Sequence, residues 1–145
     1  MASRCILILL FLLTSSRVLG ALTVTEDAQL QMGIILAIPG KTCALDASTE
    51  LLAGEACLDS ANPVSAAQFT ISDQQGSSLT LSLITHPAQD SITLTPYFPG
   101  NTQAKGVILS TSSIIQNVGG EVSFSAQPLT IGNVSLSYSL DVVLD

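Results

Sequence analysis

From Val134 to Leu144 every second residue is apolar. Val134, Leu136, Tyr138, Leu140, Val142 and Leu144 alternate with Ser135, Ser137, Ser139 and Asp141, and Val143 is the one exception. Successive side chains of a strand point to opposite faces, so this period of two describes a strand half buried against a core and cannot be laid on a helix. The same alternation recurs upstream. Leu22 and Val24 alternate with Thr23 and Thr25; Ala67, Phe69 and Ile71 share one parity; so do Leu79, Leu81 and Leu83, and then Ile92 and Leu94. Briefer apolar runs stand at Val107 to Leu109, Ile114 to Ile115, Val122 to Phe124 and Leu129 to Ile131. Turn chemistry separates the runs: Pro39-Gly40, Asp73-Gln-Gln-Gly76, Pro99-Gly100-Asn101 and Gly119-Gly120, the last being the strongest hairpin signal in the chain. Pro96 is expected to help end the strand that starts at Ser91, since proline cannot donate to a central ladder.

The stretch Lys41 to Pro63 lacks alternation and reads as a loop with at most one helical turn. No amphipathic helical segment competes with the strands. The expectation is an all-β chain, an immunoglobulin-like β-sandwich of about seven to nine antiparallel strands. Trp is absent, so the antibody type with its buried tryptophan is not indicated. An outer-membrane barrel needs alternating bands of roughly nine to eleven residues throughout, and such a band recurs here once or twice.

The first residues set the compartment. Arg4 precedes the apolar run Cys5 to Leu13, and a small-residue exit follows at Val18-Leu19-Gly20-Ala21. That order matches a secretory signal peptide, and the run is too short for a span of roughly 20 apolar residues. Residues 1–20 are expected to be removed, leaving 21–145 as a single domain that is exported to the periplasm, cell surface or medium and has no membrane span. Cys5 leaves with the signal. Cys43 and Cys57 remain, and in an oxidising compartment they are most simply a disulfide, which would stabilise the fold by roughly 3 kcal/mol through chain entropy.

Charge excludes two classes of function. The chain has 4 Lys+Arg against 11 Asp+Glu, a net charge of −7. Arg4 and Arg17 lie in the removable segment, so Lys41 and Lys105 alone face all the acids. A nucleic-acid binder that neutralises phosphates is excluded on that balance, as is a polybasic membrane-surface module. At 47% hydrophobic and 10% charged residues the chain is not disordered either.

Catalytic chemistry is not evident. There is no Gly-x-Ser-x-Gly elbow, no phosphate-cradling loop and no calcium loop; acids are scattered apart from Glu26-Asp27. His86, the one histidine, reads as a solvated loop residue, and a metal site would need more ligands than the chain offers. The expectation is a protein that is not an enzyme and takes no cofactor or metal. Asn133-Val-Ser135 fits a glycosylation acceptor and is read as a strand start. Tyr97 and Phe98, beside Pro99-Gly100, form the candidate ligand loop of a glycan-binding module, because exposed aromatics stack on sugars; the other reading has them closing the core.

Three blocks carry a resemblance. Leu22-Thr-Val-Thr25, Leu30-Gln-Met-Gly33 and Pro39-Gly40, then Val118-Gly-Gly-Glu-Val122, then the closing strand resemble a group of bacterial exported domains of unknown function with Leu-x-Phe-Gly and Val-Gly-Gly-Thr-Leu motifs. Met32 and Glu121 depart from that pattern. The group is similar in layout to fimbrial subunits of the chaperone-usher type and to spore-coat-U-like secreted proteins. Those subunits carry a glycine fourteen residues from the end of a chaperone-paired terminal strand, and Gly132 occupies that place. The resemblance implies a structural or adhesive surface protein that acts by strand addition. Gly132, Val134, Leu136, Tyr138, Leu140, Val142 and Leu144 would be the strand-pairing residues, and a periplasmic chaperone or sister subunits the partners. The alternative is a self-complete sandwich that serves as a stand-alone binding module.

Overall fold

The computed structural model describes residues 20–58, 63–87, 91–126 and 135–145. Among them there is no helix, and every strand pairing is antiparallel. The strands are β1 (Thr23–Ala28), β2 (Gln31–Met32), β3 (Ile34–Ile35), β4 (Thr42–Leu45), β5 (Leu52–Ala53), β6 (Cys57–Leu58) and β7 (Val64–Ser65). They continue as β8 (Ala67–Ser72), β9 (Ser78–Thr85), β10 (Ile92–Tyr97), β11 (Ala104–Ile108), β12 (Ser113–Phe124) and β13 (Tyr138–Leu144). Two sheets dominate. One runs β1-β8-β12-β4-β5, with β10 also paired to β12, and the other runs β11-β9-β13. Two small pairs, β2 with β7 and β3 with β6, accompany them.

The alternating parities become the core. Ala67, Phe69 and Ile71 of β8 pack with Leu79, Leu81 and Leu83 of β9 in one buried cluster between the two main sheets. Tyr138, Leu140 and Val142 of β13 lean against it. Burying one such side chain contributes roughly 1.5–3 kcal/mol, so this interface is what makes a β-sandwich-like fold of the chain. A second cluster joins Cys43 and Leu45 of β4, Ile92 and Leu94 of β10, and Val122 and Phe124 of β12. Leu30 and Tyr138 touch both clusters.

The two clusters share one strand. β12 pairs with β8 along Ser113 to Val118, then with β10 along Gly119 to Phe124 and with β4 along Gly120 to Ser123. Gly119-Gly120 therefore lies in the middle of the longest strand and is not a hairpin turn. The reason is space. A Cβ on Gly119 would overlap the Leu45 carbonyl oxygen and reach 2.8 Å from the Ala47 nitrogen, and one on Gly120 would stand 3.0 Å from Leu94 Cδ1. Both glycines have negative φ, so they are required by the close approach of neighbouring chain and not by a turn conformation.

Other expectations are corrected in the same way. Lys41 to Pro63 is not a plain loop: it holds β4, β5 and β6, and the single helical turn closes where the Glu50 N–H donates to the Asp46 carbonyl at 3.0 Å. The Cys43–Cys57 disulfide is present and ties β4 of the large sheet to β6 of a small pair. Pro96 does not end β10 but lies inside it, opposite Gly120. Because β10 pairs only with β12 among the described strands, proline's missing N–H faces the other edge and costs no ladder bond there. The apolar stretch from Leu30 breaks into β2 and β3 at Gly33, whose φ of 65° a side chain rarely adopts.

Candidate functional site

The edges of the two sheets decide where another polypeptide could pair. An unpaired edge offers a row of free N–H and C=O groups, and folded chains block such edges with brevity, proline, bulges or inward-pointing charge. The edge β5 is two residues long. The edge β10 carries Pro96. On the edge β11, Lys105 points to the core side, where its Nζ donates 2.8 Å to Gln116 Oε1 and lies 5.6 Å from the centre of the Phe98 ring. On β1 the register shifts between Glu26 and Ala28, leaving Asp27 as a bulge. β13 pairs with β9 over seven residues, Tyr138 to Leu144, and its other edge has no strand beside it among the described residues. Its residues include no proline, no bulge and no core-facing charge. Among the described residues it is the one long edge left unblocked.

That edge borders a cleft of about 620 Å³. β1 supplies Val24 and Glu26 to one wall, β13 and the residues before it supply Leu136, Tyr138 and Leu140 to the other, and Leu30, Met32, Phe69, Leu94 and Val122 form an apolar floor. Val24 stands opposite Ile71 and so shares the core-facing side of the sheet, yet it is 44% exposed. The sheet made by β11, β9 and β13 ends before it covers β1. Tyr138 packs edge-on to Phe69 with ring centres 6.5 Å apart. Its hydroxyl oxygen is buried and has no hydrogen-bond partner. Burial, with the nearby Glu26 carboxylate second, raises the phenol above its ordinary value of 10, so the hydroxyl stays protonated at neutral pH.

The other residues singled out from the sequence divide clearly. Leu136, Tyr138, Leu140 and Val142 are half-buried on the core side, while Leu144 is 50% exposed. Gly132 and Val134 lie outside the described residues, as do residues 1–19 of the expected signal segment 1–20. The Tyr97–Phe98 turn presents no pair of exposed rings. Phe98 is fully buried in the first cluster, and the Tyr97 hydroxyl donates to the Gly120 carbonyl at 3.2 Å.

Sequence reasoning missed His86. It does lie in the loop that follows β9, but it is half-buried and hydrogen-bonded: its Nε2 lies 2.8 Å from Ser139 Oγ and its Nδ1 3.1 Å from Ser137 Oγ. A hydrolytic triad places a carboxylate at the second ring nitrogen to stabilise the imidazolium, and here a hydroxyl stands there. The arrangement pins the start of β13 to the chain leaving β9. Nothing in the sequence signals it, because the 51-residue separation is closed only by the β9–β13 pairing.

Among the described residues no group of three or more His, Cys, Asp or Glu is placed to hold a metal ion, and no helix is long and apolar enough to cross a membrane. The chain matches no family model, no curated protein and no solved structure.

Proposed function

We propose that the protein is an exported, fimbrial-subunit-like structural or adhesive domain, an immunoglobulin-like sandwich in architecture, that works by accepting an extended strand from another polypeptide. It performs no catalysis. The observation that carries this reading is the unblocked edge of β13 beside a cleft with an apolar floor. Strand addition draws affinity from main-chain hydrogen bonds along such an edge and selectivity from pockets for alternate side chains. The cleft's apolar floor supplies the pockets, and the opposite wall belongs to the other sheet, so an inserted strand would cover the exposed core side of β1. The disulfide is consistent with an oxidising compartment.

The partners in this reading are a periplasmic chaperone or sister subunits. The N-terminal segment is already paired with β8, which favours receiving a strand over donating one. Amide hydrogen exchange tests the proposal. With an alternating apolar peptide added, amides of β13 that face the cleft are expected to slow by at least tenfold, while those of β11 stay unchanged. Equal protection of both edges, or of neither, removes the proposal.

A further inference from the structure

The cleft has a charge on one wall and an unused hydroxyl on the other. Glu26 pairs opposite Phe69, one of the core residues, so the register of β1 turns its carboxylate to the core-facing side. It is exposed, and no strand of the described residues lies over it. Tyr138 lines the same cleft with a buried hydroxyl that bonds to nothing in the structure. Among the described residues no cation lines the cleft. Of the described cations, Lys41 is paired with Glu55 and Lys105 with Gln116.

A strand lying over Glu26 would strip water from its carboxylate, and a buried charge without a partner is strongly destabilising. The occupant must therefore neutralise it. A second copy of this chain is badly suited. Its N-terminal alternating segment brings another Glu26 on the apolar parity, and like charges brought together in a desolvated site oppose association; its C-terminal strand places only Val134 to Leu144 of that parity there, with no cation to neutralise Glu26. Resting on the strand-addition reading above, we infer that the cleft selects an extended segment of a different polypeptide, one whose apolar alternation is interrupted by a lysine or arginine that meets Glu26 while Tyr138 donates its hydroxyl to a carbonyl of that segment. Charge at this position acts on choice of partner, and the apolar floor supplies the common affinity.

The test uses three synthetic eleven-residue peptides of alternating Val/Ile and Ser/Thr, identical except for Lys, Thr or Glu at the central position of the apolar parity. Each is titrated by fluorescence anisotropy against the processed chain and against Glu26→Gln. The lysine peptide is expected to bind about tenfold or more tighter than the threonine peptide and the glutamate peptide weakest, with the order collapsing to within about twofold in Glu26→Gln. Tyr138→Phe is expected to weaken all three peptides alike by a fewfold, leaving the order intact. Equal binding of the three peptides to the unaltered chain overturns the charge selection and leaves strand addition standing. Binding of none of them overturns strand addition itself. Retention of the order in Glu26→Gln overturns the assignment to Glu26.

Discussion

Two glycines show how a single residue type can mislead. Gly119-Gly120 has the composition of a hairpin turn, and it sits where β12 passes between the strands of the second cluster. The strand is continuous because each glycine there is needed for room, with the Leu45 to Ala47 backbone against Gly119 and Leu94 against Gly120. Gly119→Ala is expected to destabilise the fold by about 3 kcal/mol or more, because the clash is with backbone that cannot rotate away. Gly120→Ala meets mostly side-chain carbons and is expected to cost less. Urea denaturation of both variants measures the difference; equal costs would mean that the glycines serve flexibility and not space. What the sequence makes legible at this scale is parity. Phe69, Ile71, Leu79, Leu81 and Leu94 are buried as the alternation requires. It does not reveal which residue touches which, so the His86 contacts with Ser137 and Ser139 and the buried place of Phe98 emerge only when distant strands are brought together.

At the scale of elements, the long strands with clean alternation were readable and the short ones were not. β8, β9, β10 and β13 lie within segments with the expected parity, since a half-buried strand must alternate. β4, β5 and β6 are two to four residues long, too brief to show a period, and the disulfide between β4 and β6 supplies part of the order that alternation cannot. Reducing Cys43–Cys57 is expected to lower stability by roughly 3 kcal/mol, from the loop it closes in the unfolded chain. Denaturant titrations with and without reductant read this directly, and an unchanged midpoint would show that packing alone holds β6. β1 is the weaker case. Its side chains are largely exposed, and its hold on β8 is mainly backbone pairing. Deleting residues 21–25 is expected to cost about 1–3 kcal/mol, the scale of a few net hydrogen bonds and a half-exposed valine. Melting at a much lower temperature would make β1 integral to a self-complete domain and weaken the strand-accepting role.

For the molecule as a whole, pH acts through groups near the ends of strands. The Asp46 carboxyl is held below its ordinary value of 3.8, first by the Thr49 and Ser48 backbone N–H groups and then by the Thr49 hydroxyl. Hydrogen bonds from Thr80 and Ser78 lower Asp145 likewise. A carboxyl whose folded value is depressed adds stability above its unfolded value and loses it as pH falls through the folded one. Stability is therefore expected to be flat from neutral down to about pH 4 and to decline below that. On the alkaline side Tyr138 and Tyr97 are both raised above 10, chiefly by burial. Their contribution is full below pH 10 and is lost as pH rises through the folded values. Thermal melts from pH 2 to 12 should show a plateau with both shoulders; a decline beginning near pH 6 would contradict this account.

The chain alone determined that it would be all-β, because runs of period two leave no other way to bury Leu, Ile, Val and Phe while leaving Ser and Thr in water. It also determined the cysteine pair, the acidic balance and the parity of the last strand. Tertiary structure alone decided which edges meet and which stay open. Whether β13 ends a sheet, whether Glu26 faces a core or the solvent, and whether two glycines make a turn or a passage all depend on strand order. Strand order is set by contacts between residues far apart in the chain, whereas alternation records only the two faces of each strand and nothing about its neighbours.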